Sequence, residues 1–201
     1  MSEDKNILAR ARRGELPAFE ELVTLYEKRV FAVALRSSGS PEDAADITQE
    51  TFLRAWRGMD SFRGDSGFST WLFRIAMNLC VDHARRKNAA PLTQPLVGED
   101  DMERPIPDPA PTPEQRLDNS ELGRELSEAL NEVSEEHRQI VLLRDVSGLS
   151  YTEIAETLEI SEGTVKSRLS RARLALRDTL LRRGNILPPA PSKQPKGGGQ
   201  A

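Results

Sequence analysis

The sequence is short of the residues that most enzymes and secreted proteins depend on. It has one cysteine, Cys80, so no disulfide can close within the chain and an oxidising compartment is not indicated. It has two histidines, His83 and His137, which fall in separate blocks with that cysteine between them. No metal-ligand spacing, nucleophile elbow or phosphate loop accompanies them, so the chain is not expected to be an enzyme or to hold a metal or cofactor. Cys80 reads as a core residue and His83 as a helix-surface one. Apolar runs long enough to span a bilayer (roughly 18 residues) are missing. The first residues, MSEDKNILARARRGE, lack the apolar centre of a secretory signal. A soluble, cytoplasmic location is the expectation. Alternating strand patterns are absent too, which leaves helices.

What is present is sharply segregated. The 201 residues carry 28 Lys and Arg against 32 Asp and Glu, a net charge of −4. Lys and Arg against Asp and Glu run 14 to 13 over residues 1–88, 2 to 7 over 89–118 and 3 to 11 over 119–162. Over residues 163–183 the balance reverses to 7 against 1. A local basic stripe, not the total, sets phosphate attraction over a Debye length of about 8–10 Å. Seven of the 13 prolines lie between Pro91 and Pro113, among acidic residues. Such a stretch has neither the donors nor the apolar periodicity to fold. The pattern predicts an all-α protein of two small helical domains, residues 1–88 and 118–183. A flexible linker, 89–117, joins them, and a disordered tail, 184–201, follows.

In the first block, Phe19, Leu22, Val23, Tyr26, Val30, Val33 and Ala34 recur at spacings of three and four. Ser40-Pro41-Glu42-Asp43 then supplies a cap, a first-turn proline and acids that suit a helix N-terminus, so a helix should run to about Arg57. One side of it carries Ala44, Ile47, Thr51, Phe52, Ala55 and Met59. The other carries Asp46, Gln49, Glu50, Arg54 and Arg57, with Leu53 in their midst. An apolar residue centred in a polar face suits docking to a protein. The loop SFRGDSGFS leads into a helix from about Thr70 to Arg86, with aromatic, amide and basic side chains of the kind single-stranded DNA needs. Trp71, Phe73 and Ile75 also read as core.

The second block holds the most specific signal. After helical segments near Leu122–Leu130 and Glu136–Val146, Ser150-Tyr151-Thr152-Glu153 fits a capping box. Ile154, Ala155 and Leu158 make that helix's inner face, Glu159-Ile160-Ser161 a tight turn, and Ser161 the cap of a second helix. This is the outline of a helix-turn-helix. Val165, Leu169, Ala172 and Leu176 face inward, Thr164, Ser167 and Arg171 outward, with Lys166, Arg168 and Arg173 on the flanks. Short hydroxyls beside cations are what a major-groove helix requires. Glu159 stands where this turn favours glycine, a departure that costs about 1 kcal/mol. A helix-turn-helix alone is equally compatible with a stand-alone transcriptional regulator.

Together the segments DITQETFLRAWRGMDSFRGDSGFSTWLFRIAMNLCVDHARR and GLSYTEIAETLEISEGTVKSRLSRARLALR resemble regions 2 and 4 of extracytoplasmic-function sigma factors of the sigma-70 family. The resemblance spans most of residues 16–180. It implies an alternative sigma factor that binds core RNA polymerase and directs promoter recognition, −10 melting and initiation. Asp46, Gln49, Glu50 and Leu53 would meet the clamp of the largest polymerase subunit, and the flap of the second-largest would be a further partner. Phe62, Arg63, Phe68, Ser69, Asn78, Arg85 and Arg86 would engage the −10 element. Thr164, Lys166, Ser167, Arg168, Arg171 and Arg173 would read and grip the −35 element. An anti-sigma protein is the expected regulator, and no cofactor is implied.

Overall fold

The computed structural model describes residues 2–62, 64, 66–89 and 121–184. Among these there are eight α-helices and no strand. The linker and tail expected at 89–117 and 184–201 lie almost wholly outside the described residues.

Helix α1, Ser2–Arg12, was not anticipated from apolar periodicity, and it docks through buried Ala11 with Ile7 and Leu8 against the core. α2, Leu16–Ser38, ends at Gly39, whose φ of 72° lets its N–H turn back to the Leu35 carbonyl at 2.8 Å. α3, Pro41–Arg57, starts as its sequence dictates: the Ser40 hydroxyl accepts from the Asp43 N–H, and Pro41 occupies the first turn. It ends at Gly58, where a Cβ would stand 3.1 Å from the Arg54 carbonyl and 3.2 Å from the Trp71 ring, so the close approach favours glycine. A 3-10 turn, Met59–Ser61, leads to α4, Phe68–Ala89, which begins two residues earlier than periodicity suggested. Val30, Val33, Ala44, Ala55, Leu72 and Phe73 are wholly excluded from solvent where α2, α3 and α4 meet. Each large side chain buried there contributes about 1.5–3 kcal/mol.

The second half is built from α5, Glu121–Glu132, and α6, Glu135–Val141, which Ser134 caps through the His137 N–H. The expected regular helix to Val146 instead widens into a π-turn, Leu142–Val146. That turn buries two consecutive leucines, Leu142 and Leu143, completely. α7, Tyr151–Leu158, and α8, Glu162–Arg182, complete it.

The two halves pack on one another. Their buried apolar residues form one continuous cluster, with α2 against α5 and the π-turn and α4 against α7. Arg29 donates to the Ser147 carbonyl at 2.9 Å and Arg36 to the Gly123 carbonyl at 2.8 Å. Two lone beads on a string would make none of these contacts.

Candidate nucleic-acid interface

The helix-turn-helix is assembled by short polar side chains. The Ser150 N–H donates to Glu153 Oε2 at 2.8 Å and the Glu153 N–H to Ser150 Oγ at 3.2 Å, a closed capping box. Burial alone would push the Glu153 carboxyl up, but hydrogen bonds from Ser150 and Ser69 and the charge of Arg29 outweigh it, and the group stays below its ordinary range. Glu159 takes the left-handed conformation, φ 56° and ψ 44°, which turns the chain in the space of three residues. Ser161 caps α8 through the Thr164 N–H at 3.1 Å. Thr152 donates to Glu162 at 2.6 Å, tying the two helices together across the turn. Ile154, Val165, Leu169 and Ala172 are buried between them.

The outward face of α8 divides in two. Lys166, Ser167 and Arg171 are exposed and Thr164 is half-buried beside Ser161. Among the described residues Arg171 makes only a weak 3.3 Å contact, to the carbonyl of Ser167. Arg168 and Arg173 are tied down instead. Arg168 lies 3.3 Å from Glu136, its side chain 21 % exposed. Arg173 forks onto both oxygens of Asp145 in the π-turn, and that bond raises its pKa further. A regular helix through residue 146 gave no reason to expect that pair.

The other two groups of site residues are placed unevenly. Asp46, Gln49 and Leu53 are exposed and Glu50 is half-buried, all on one face of α3; Glu50 pairs with Arg54 at 2.7 Å. Beside Gln49 and Leu53 runs an apolar groove of about 520 Å³ between α2 and α3, lined by Leu16, Phe19, Val23, Phe31, Phe52 and Trp56. The α2 contribution was missed, although Leu16, Val23 and Phe31 recur on one helical face. Asn78, Arg85 and Arg86 are exposed on α4. Arg74, one turn before Asn78, shares their face and was also overlooked. Ser69 is half-buried, Arg63 lies outside the described residues, and Phe62 and Phe68 are buried. Those two rings pack edge-on at 6.0 Å and against Trp71 at 5.1 and 5.8 Å. They shape the base of the loop from within, so they are not open stacking platforms. No group of metal-ligating side chains occurs among the described residues, and no described helix is long and apolar enough to cross a membrane.

Residues 22–90 match the family model for Sigma-70 region 2, and residues 123–176 that for Sigma-70, region 4. The chain is 35 % identical to the ECF RNA polymerase sigma-E factor of Haemophilus influenzae, over 85 % of this chain and 91 % of that one. It belongs to the extracytoplasmic-function sigma factors. It is also 40 % identical to the ECF RNA polymerase sigma factor SigE of Mycolicibacterium smegmatis, over 84 % of this chain but 63 % of that relative's length. The structure of CnrH in complex with the cytosolic domain of CnrY superimposes with a TM-score of 0.67 at 29 % identity, covering 89 % of this chain and 97 % of that one. A sigma factor is a non-enzymatic promoter-recognition subunit of RNA polymerase.

Proposed function

We propose that this sigma factor docks on core RNA polymerase through the face of α3 bearing Asp46, Gln49, Glu50 and Leu53, and carries promoter DNA on α4 and α8. The observation that carries the docking is Leu53, 40 % exposed at the rim of the apolar groove within an otherwise polar face. A partner helix can bury it at little cost in desolvated charge. The clamp of the largest subunit is the partner there, and the flap of the second-largest holds the second half.

On α4, Asn78 and the loop before it take a flipped base of the −10 element while Arg85 and Arg86 hold phosphates. Flipping costs a few kcal/mol, which the pocket and the polymerase together offset. On α8, Thr164 and Ser167 present hydroxyls to base edges of the −35 element, and Lys166 and Arg171 present charge to its phosphates. The protein acts in the cytoplasm. An anti-sigma protein restrains it; a similar fold solved with the cytosolic domain of a second protein supports that reading. Run-off transcription from a genomic promoter library with purified core polymerase tests the proposal. Transcripts that start at defined sites only when this chain is added are expected. Failure of core polymerase to capture the chain or to initiate with it would refute it.

A further inference from the structure

Glu162 opens α8 and is out of keeping with the rest of it. The helix carries two acids, Glu162 and Asp178, and Asp178 lies toward the opposite end. Other acids of the second half, Glu136 and Asp145, lie against Arg168 and Arg173 of this helix. Glu162 is exposed, and no cation of the described residues pairs with it. An unneutralised carboxylate where a recognition helix enters the major groove repels phosphate. The ordinary account of a first-turn acid is its attraction to the positive end of the helix. That attraction is satisfied by any rotamer that keeps the charge nearby. Here the side chain is held in one orientation. Thr152 Oγ1, in the first turn of α7, donates to Glu162 Oε1 at 2.6 Å, while Oε2 accepts nothing from the described residues.

The free oxygen restricts what it can meet. A carboxylate only accepts hydrogen bonds. In the major groove guanine presents two acceptors, O6 and N7, and thymine presents the acceptor O4. Either would face Oε2 acceptor to acceptor, an arrangement that rejects the base. Adenine offers an amino donor, but with the N7 acceptor beside it. Cytosine offers its N4 amino group with no acceptor alongside.

We propose that Glu162 reads a cytosine of the −35 element, with Oε2 accepting from the N4 amino group, and that Thr152 is the positioning residue that aims it. The proposal rests on the reading of α8 as the −35 helix, and its test keeps the two apart. Holoenzyme assembled from core polymerase and the full chain selects promoter fragments randomised across the −35 element, and the retained pool is sequenced. The wild-type pool should favour cytosine at one position by about tenfold over guanine or thymine. Glu162→Ala should level the bases at that position and leave the others as they were. Glu162→Gln, which has amide donors as well as an oxygen, should admit guanine and thymine there. Thr152→Val leaves the carboxylate unaimed and should lower the preference about threefold. Thr152→Ser keeps the donor and should restore it. Glu162 and Thr152 are exposed, so none of these variants opens a cavity in the core.

If Glu162→Ala retains every sequence more firmly by one common factor, the residue only repels phosphate and the proposal is overturned. A base profile that Glu162→Ala leaves unchanged overturns it as well. A preference that Thr152→Val leaves intact removes the positioning role. A wild-type profile that is flat across the whole element refutes the reading of α8 itself, and the proposal with it.

Discussion

The six α8 residues assigned to the −35 element are not equivalent, and a salt titration separates them. Each protein cation that neutralises a phosphate contributes about 0.9 to the slope of log affinity against log salt. Lys166 and Arg171 are exposed and have no carboxylate of the described residues in contact, so Lys166→Ala or Arg171→Ala should each lower the slope by about 0.9. Arg173 is already neutralised by its fork onto Asp145, and Arg168 is largely covered beside Glu136. Arg173→Ala should therefore change the slope by well under half that amount. It sacrifices an exposed ion pair worth about 0–1 kcal/mol of folding stability. The converse change is the sharper one: Asp145→Asn releases Arg173 and should raise the slope by as much as about 0.9. The assay is anisotropy of a labelled −35 duplex with assembled holoenzyme between about 50 and 200 mM KCl. Equal losses of slope for Arg171→Ala and Arg173→Ala, or no gain for Asp145→Asn, would refute the division.

Three other outcomes follow from single contacts. Leu53→Glu should weaken capture by core polymerase about tenfold or more in a pull-down titration while leaving the unfolding free energy in urea within about 0.5 kcal/mol of wild type, since the side chain is already exposed. Glu159→Gly removes a left-handed non-glycine residue worth about 1 kcal/mol, and melting followed by circular dichroism should show Tm raised by about 2–4 °C. Glu153 titrates below its ordinary value of 4.5, so the stability it confers is fully present above that pH and is lost as pH falls through the lowered value. The stability gap between wild type and Glu153→Gln in urea should accordingly be constant from pH 7 to about 5 and narrow below about 4.5. A gap that widens on acidification would contradict the assignment of cause.

Where the fold follows local chemistry, it could be read from the sequence. Ser40 with Asp43, Ser150 with Glu153 and Ser161 with Thr164 each satisfy orphan amides within one turn, and each starts a helix where such residues must. The inward sets, Ala44 through Met59 and Val165 through Ala172, are likewise buried as their spacing required. Four kinds of feature escaped. α1 is polar and has only a short apolar edge, so its place depends on what it docks against. The π-turn at Leu142–Val146 depends on both leucines finding room in the core, which is a tertiary fact. The aromatic residues Phe62 and Phe68 are of a type that serves bases and cores alike, and only packing against Trp71 and Tyr26 decides for the core. The contacts between the halves were the least visible. Arg29, Arg36 and Arg74 bond to the carbonyls of Ser147, Gly123 and Glu156. A carbonyl acceptor has no side-chain signature.

Charge shows how these unseen contacts bear on function. A DNA-binding chain with a net charge of −4 looks unsuited to its ligand, and residues 119–162, with 11 acids against 3 cations, are the main source of the deficit. Five of those acids lie against cations. Glu136 and Asp145 meet Arg168 and Arg173 of the recognition helix, Glu159 meets Arg74 of α4, and Glu128 and Glu132 meet Arg183 at the end of α8. The acidic stretch is therefore counter-charge laid against the surfaces proposed to hold DNA. Phosphates on those surfaces would compete with it at Arg74, Arg168 and Arg173 but meet no such rival among the described residues at Lys166 and Arg171. Weak binding of promoter DNA by the chain alone is the behaviour expected of such an arrangement of charge.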